Sequence, residues 1–205
     1  MDLDTLNHAI DCLSKDKLLK KLIDRYNRPI FIKNENYFNA LVKSIIYPQI
    51  SGKAAKSIYD RFQNLFQDKG YSPGSVLALQ DSQHREAGLS KQKVSYIKNI
   101  AEYFHTKTKN IDFALLSDKE VHDELIQIKG IGQWTIDMFL MFTLFRTDIM
   151  PVSDLGIKKG FQRLFNLKDL PSTEVMLKKS EKWRPYRTIA CMYLWKIVDG
   201  DDYIF

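Results

Sequence analysis

Leu125-Ile126-Gln127-Ile128-Lys129-Gly130-Ile131-Gly132-Gln133-Trp134-Thr135, followed by the largely apolar run Ile136 to Phe145, is the stretch that decides the fold. Val121, Leu125 and Ile128 recur at helical spacing, Gly130 and Gly132 then interrupt the pattern around a single isoleucine, and a second helical pattern begins at Gln133. The reading is a helix, a two-glycine hairpin and another helix. Glycines at alternate positions let the backbone turn tightly and come close to a ligand. The amides that open the second helix carry its positive dipole end, so a phosphate can sit there without any side chain. A helix C-cap glycine followed by an ordinary interhelical turn is the other reading of a lone Gly-x-Gly. Lys129 just before the hairpin and a carboxylate further along favour the phosphate.

Outward from the hairpin, almost every segment reads as helix. Ser117-x-x-Glu120 is a capping box that leads into it. Upstream, Ser14 opens a helix whose Leu18, Leu19, Leu22, Ile23 and Tyr26 share a face, and Arg28-Pro29 ends it. Asn36 caps a helix with Phe38, Leu41, Val42, Ile45 and Ile46 inward until Pro48; Ser51 starts another with Ala54, Ala55, Ile58, Phe62, Leu65 and Phe66 inward. Ser72-Pro73 is a cap with proline at the first helical position, and Ser90 caps a helix through Val94, Ile97, Ile100, Ala101 and Phe104. Downstream, helices fall near 155–165, 173–183 and 186–198. Ile30-Phe31-Ile32 is the one extended-looking run, and nothing alternates like a strand. The expected fold is all-α, a single domain over 1–205 of two helical lobes flanking a cleft.

At 205 residues and 44% hydrophobic, the chain can bury a substantial core. No run approaches membrane-spanning length, and Met1 to Ile10 lacks the apolar core of a secretion signal, so the expectation is a soluble intracellular protein. Cys12 and Cys191 are too few for a disulfide framework or a four-thiolate cluster, and His8, His84, His105 and His122 show no metal spacing with them. The 31 Lys plus Arg against 25 Asp plus Glu leave +6, a moderate excess that suits a polyanionic partner without naming one.

The hairpin resembles the helix-hairpin-helix, spanning about 118–146 here, of the base-excision DNA glycosylases. Met150-Pro151-Val152-Ser153-Asp154-Leu155-Gly156 is similar to the second half of that signature, in which an aspartate follows the hairpin after one helix. Ser44-Ile45-Ile46 with Gln49-Ile50-Ser51 and Lys53-Ala54-Ala55, Gly88-Leu89-Ser90 with Lys93 and Tyr96, and Trp183-Arg184-Pro185-Tyr186-Arg187 with Tyr193-Leu194-Trp195 resemble the family's DNA-3-methyladenine glycosylase II branch. The resemblance runs from about Leu18 to Ile197. It implies a glycosylase fold, here without the N-terminal β subdomain of longer members and without the iron-sulfur cluster of some relatives.

The resemblance makes Asp154 the catalytic carboxylate. Breaking an N-glycosidic bond develops positive charge on the sugar, and a carboxylate can stabilise that charge and accept a proton from the attacking water. An aspartate before a helix is also an N-cap, and the two roles can coexist. Trp134 stands where lyase-competent relatives carry a nucleophilic lysine, so the resemblance implies a monofunctional enzyme that uses water. In the alkylation-repair branch this tryptophan lines the base pocket, where a flat ring attracts a cationic methylated base; a core tryptophan at a helix start is the other reading. Tyr47, Trp183, Tyr186 and Met138 are the remaining pocket candidates, whereas Trp195, well inside an apolar helix, reads as core. Gln49 matches the wedge that fills the gap left by a flipped nucleotide. Tyr47 and Pro48 replace a small residue and a glutamine common in relatives, a departure that alters both wedge and pocket.

Lys129, Gly130, Gly132, Thr135, Ser51, Lys53 and Lys93 are the candidates for gripping the DNA backbone, and the lysines, Lys91 among them, read equally as solvated side chains. No cofactor is implied; the family's hairpin can hold a monovalent cation through backbone carbonyls. The implied partner is double-stranded DNA containing alkylated bases such as 3-methyladenine and 7-methylguanine, met by a monomer in the cytoplasm at the nucleoid, or in a nucleus. A glycosylase for another damaged base and a non-catalytic helix-hairpin-helix damage-binding protein are the alternatives, and the carboxylate at Asp154 discriminates against the second.

Overall fold

The computed structural model describes residues 1–31, 36–47, 52–66, 70–107 and 111–201. Among them all regular structure is helical, as expected. The α-helices are α1 (Leu3–Leu13), α2 (Lys17–Arg25), α3 (Tyr37–Ile46), α4 (Gly52–Asn64), α5 (Pro73–Ala78), α6 (Asp81–Glu86), α7 (Lys91–Thr106), α8 (Asp118–Leu125), α9 (Gln133–Phe142), α10 (Leu155–Leu164), α11 (Thr173–Ser180) and α12 (Arg187–Asp199), with a 3₁₀ turn at Glu181–Trp183. None is long and apolar enough to cross a membrane.

Helix starts follow local capping chemistry. Asn36, Ser72, Ser90 and Ser117 each accept a hydrogen bond from the backbone amide three residues on, and the Ser117–Glu120 box closes reciprocally. The N-terminus departs from the expectation. Ser14 opens no helix; it is the C-cap of α1, a helix the apolar pattern left unread, and its hydroxyl donates back to Ile10. Asp16 starts α2 instead, its carboxylate accepting from the Leu18 and Leu19 amides at 2.8 and 3.1 Å. A carboxylate two residues after a serine is the stronger competitor for those amides, because charge-assisted bonds are shorter and stronger. Ala54, expected inward on α4, is exposed, while Ala55 and Phe62 are fully buried.

Two compact units result, Met1–Lys33 with Leu140–Phe205 and Asn34–Phe139, and the chain passes from the second to the first within α9. In the first unit, α12 is buried at every position from Arg187 to Lys196 and packs on α10. Glycine makes that approach possible: a Cβ at Gly160 would lie 2.5 Å from the Leu194 carbonyl oxygen. In the second unit, α7 packs against α3 and α5 around Phe38, Phe62, Tyr71 and Phe113. Fully burying each aromatic or aliphatic side chain in such a core contributes about 1.5–3 kcal/mol.

Candidate active site

In the second unit the hairpin is built by its two isoleucines as much as by its glycines. Ile128 and Ile131 are buried and joined by a hydrogen bond from the Ile131 amide to the Ile128 carbonyl at 2.9 Å, so the turn is pinned inward while Lys129 and Gly132 stay exposed. Gly130 has φ +108°, and a Cβ there would lie 2.3 Å from the Tyr96 ring; no other residue fits without moving that ring. Gly132 is different. It has no positive φ, and a Cβ there meets nothing within 4 Å, so only a close-approaching ligand would demand glycine at 132. The Ile136 amide donates to the Gly132 carbonyl at 3.1 Å, and α9 begins.

Trp134 occupies the second position of α9 and is half-buried. Met138, one turn on, is 2% exposed, and Thr135 is also buried. Thr135 is therefore not on the exposed surface with Lys129 and Gly132. Asp137, buried in the same helix, accepts a hydrogen bond from the Gln133 amide group at 2.8 Å. Tyr47, just past α3, is half-buried, edge-on to Tyr59 at 6.1 Å between ring centres, with the Lys43 ammonium 5.1 Å from its ring centre. Lys93 sends its ammonium to the Ile46 carbonyl at 2.6 Å, and burial pushes its pKa down from the ordinary lysine value. A cation at the C-terminal end of α3 completes the carbonyls and complements the dipole there, which gives Lys93 a structural role. Lys53 is exposed on α4. Gln49 and Ser51 lie outside the described residues.

In the first unit Asp154 is the N-cap of α10. Its Oδ1 accepts from the Ile157 amide at 2.7 Å and from the Trp195 indole Nε1 at 2.9 Å. Trp195 reaches it from α12 through the space left by Gly156: a Cβ at 156 would fall 2.8 Å from the indole Cδ1 and 3.1 Å from Asp154 Oδ1. The segment leading to Asp154 is fixed to the start of α12. Thr188 donates its hydroxyl to the Arg146 carbonyl and accepts from the Ile149 amide. Arg187 bonds the Asp148 carboxylate at 2.6 Å and its carbonyl at 2.7 Å, and Arg184 adds a second guanidinium to that carboxylate. Buried charges repay their desolvation only when well bonded, and Arg187, itself buried, places both Nε and Nη2 on Asp148.

One pocket expectation changes in this unit, that for Trp183. Trp183 is 1% exposed, stacked among Phe161 and Phe165 at 5.3 and 6.1 Å, with its Nε1 3.4 Å from Asp16. It is a core residue that presents no face to a base. Tyr186 is half-buried, edge-on to His8 at 5.8 Å. Trp195 is the reverse case. It is 2% exposed, as a core reading requires, yet its one polar atom is bonded to the candidate catalytic carboxylate. The spacing of Gly156, two residues after Asp154, was the available signal: a small residue in the first helical turn is where a large neighbour enters.

Residues 42–185 match the HhH-GPD superfamily of base excision DNA repair proteins. The chain belongs to that superfamily. It is 34% identical over 191 residues to DNA-3-methyladenine glycosylase 1 of Schizosaccharomyces pombe, covering 91% of this chain and 83% of that protein. It is 33% identical over 209 residues to the DNA-3-methyladenine glycosylase of Saccharomyces cerevisiae, covering 92% and 69%. Its fold superposes on the structure of the Schizosaccharomyces pombe 3-methyladenine DNA glycosylase in complex with abasic DNA with a TM-score of 0.83 at 33% identity, over 97% of this chain and all of that one. Among the described residues no group of three His, Cys, Asp or Glu side chains could hold a metal ion.

Proposed function

We propose that this HhH-GPD chain is a monofunctional DNA glycosylase of base excision repair that flips alkylated purines, 3-methyladenine and 7-methylguanine among them, out of double-stranded DNA and hydrolyses their N-glycosidic bond. The observation that carries the reading is Asp154, a carboxylate at the family's catalytic position held by two converging donors. As the base departs, positive charge grows on the sugar; a fixed anion stabilises that charge without reorganising, and the same carboxylate accepts the water's proton. Trp134 stands where an amine nucleophile would be needed for a Schiff base, so the product is an intact strand with an abasic site. Its half-buried ring is the surface offered to a flat, cationic methylated base.

Lys129 and the amides of the hairpin and of the start of α9 grip the phosphate backbone, a contact that positions the enzyme and reads no sequence. A monovalent cation between hairpin carbonyls and a phosphate belongs to the same proposal, and a dependence of DNA affinity on sodium or potassium against lithium at constant ionic strength would reveal it. The enzyme works as a monomer where chromosomal DNA is, in a nucleoid or a nucleus. Incubation with methylated duplex DNA and chromatography of the released bases tests the assignment. Free methylpurines with an uncut strand are expected. A covalent adduct trapped by borohydride overturns the monofunctional mechanism, release of a different damaged base moves the enzyme to another lesion, and binding without release leaves a damage-binding protein.

A further inference from the structure

The hairpin does not hold its shape alone. The Asn99 side-chain amide, on α7, donates to the Lys129 carbonyl at 2.8 Å. We propose that Asn99 is a positioning residue that aims the Gly130 amide at a DNA phosphate, an inference that rests on the hairpin's proposed grip on the backbone. The Lys129–Gly130 peptide is planar and trans, so its C=O and N–H point in opposite directions. Drawing the carbonyl toward α7 turns the N–H away from it. A flip of that peptide would present an oxygen where a phosphate is to bind, and Asn99 holds the peptide against that flip.

Two further contacts make α7 a mount rather than a neighbour. The Tyr96 ring lies where a Gly130 Cβ would be, 2.3 Å from that position, so it closes over the glycine's Cα. The ring is in turn held by Gln92, whose amide donates to the Tyr96 hydroxyl at 2.6 Å. Gln92, Tyr96 and Asn99 follow at intervals of four and three residues, which places them on one face of the helix. The opposite side of α7 is anchored by Val94, Ile97, Ile100 and Ala101, all buried. The motif residues Gly88-Leu89-Ser90 start this helix, Ser90 capping it through the Lys93 amide at 3.2 Å.

The test compares Asn99→Leu, Gly132→Asp and the double variant for affinity to undamaged duplex at fixed salt, with thermal melting of each. Loss of one neutral hydrogen bond, about 0.5–1.5 kcal/mol, predicts a rise in Kd of roughly 2- to 12-fold for Asn99→Leu. Single-turnover excision at saturating enzyme stays within about twofold of the parent, because the effect is on grip and not on the reacting atoms. In the Gly132→Asp background, where the phosphate is already repelled, adding Asn99→Leu weakens binding no further. Asn99→Ala serves as the second variant if leucine disturbs folding. If Gly132→Asp weakens binding while Asn99→Leu binds like the parent, or if the two losses multiply in the double variant, the positioning role is wrong and the hairpin grip stands. If Gly132→Asp itself binds undamaged DNA like the parent, the grip fails, and the role of Asn99 falls with it.

Discussion

Gly156→Ala puts a methyl group into the space through which Trp195 reaches Asp154. On helix propensity alone the change would stabilise α10 by up to about 1 kcal/mol, since alanine is favoured over glycine inside a helix. The added Cβ, however, would lie 2.8 Å from the indole Cδ1, 3.0 Å from Nε1 and 3.1 Å from Asp154 Oδ1, all closer than ordinary contact. Trp195 is buried and cannot swing away freely, so relief comes from shifts of the ring and the carboxylate at about 1–3 kcal/mol, as for other overpacked cores. Net destabilisation is therefore about 0–2 kcal/mol, a Tm loss of at most about 8 °C for a chain of this size. The protein stays folded while the 2.9 Å indole–carboxylate bond lengthens. A hydrogen bond to a charged group is worth about 1.5–3 kcal/mol, so excision under single turnover should fall by about 10- to 150-fold if its orienting effect is fully lost. The assay is base release from methylated duplex by excess enzyme, with affinity for undamaged duplex and melting temperature measured in parallel. Gly156→Ala combined with Trp195→Phe separates strain from function, because the smaller ring gives back the space without the donor: melting temperature recovers toward the parent, excision does not. A folded Gly156→Ala variant that excises at the parent rate refutes the reasoning.

Asp154→Asn is expected to lower excision by at least about 100-fold while binding of lesion-bearing duplex survives, in line with the loss of one aligned electrostatic group; unchanged turnover in a folded variant would leave Asp154 only a helix cap. At Asp16 burial pushes the carboxyl up, but the Lys182 ammonium and the Leu19 and Leu18 amides outweigh it and hold the pKa below the ordinary value. A depressed folded pKa stabilises above the unfolded value of about 3.9 and loses that contribution as pH falls through the folded value. Asp16→Asn should therefore melt about 1–3 °C below the parent at neutral pH, a loss of roughly 0.5–1 kcal/mol. That gap should close as the pH falls below about 3.9, and a gap that persists in acid would assign the stability to something other than the charge.

What the sequence made legible was whatever local chemistry decides. Capping serines and the asparagine at 36 announce helix starts because they satisfy amides within three residues, and the Ser117–Glu120 box was readable for that reason. The hairpin was readable because only glycine tolerates the backbone of residue 130 against Tyr96. Residues whose roles depend on contacts distant in the chain were not. Trp195 lies 41 positions from Asp154, and periodicity registers only that its helix is apolar all round. Trp183 failed in the opposite direction: its place in a family motif suggested a pocket, while Phe161 and Phe165 from α10 and the turn after it enclose the ring. Lys93 read equally as a phosphate contact and as a solvated side chain, because charge is visible in a sequence and the Ile46 carbonyl it bonds, 47 positions away, is not.

Capping at Asp154 and the catalytic role proposed for it are compatible, because one arrangement of the side chain serves both. An N-cap carboxylate needs an extended backbone at its own position and a helix behind it, and Asp154 has φ −72° and ψ 125° before α10. That geometry fixes the side chain before any substrate arrives, which electrostatic catalysis requires: a charge that must reorient during the reaction spends in reorganisation what it gains in attraction. The indole adds a second donor from a different helix, so the carboxylate is oriented by α10 and α12 together. Asparagine is as good an N-cap as aspartate, and its side-chain oxygen can accept from the same amide and the same indole. Asp154→Asn therefore subtracts the charge and leaves the frame standing. This is why it separates the two contributions so cleanly: whatever stability remains belongs to the cap, and whatever excision is lost belongs to the anion.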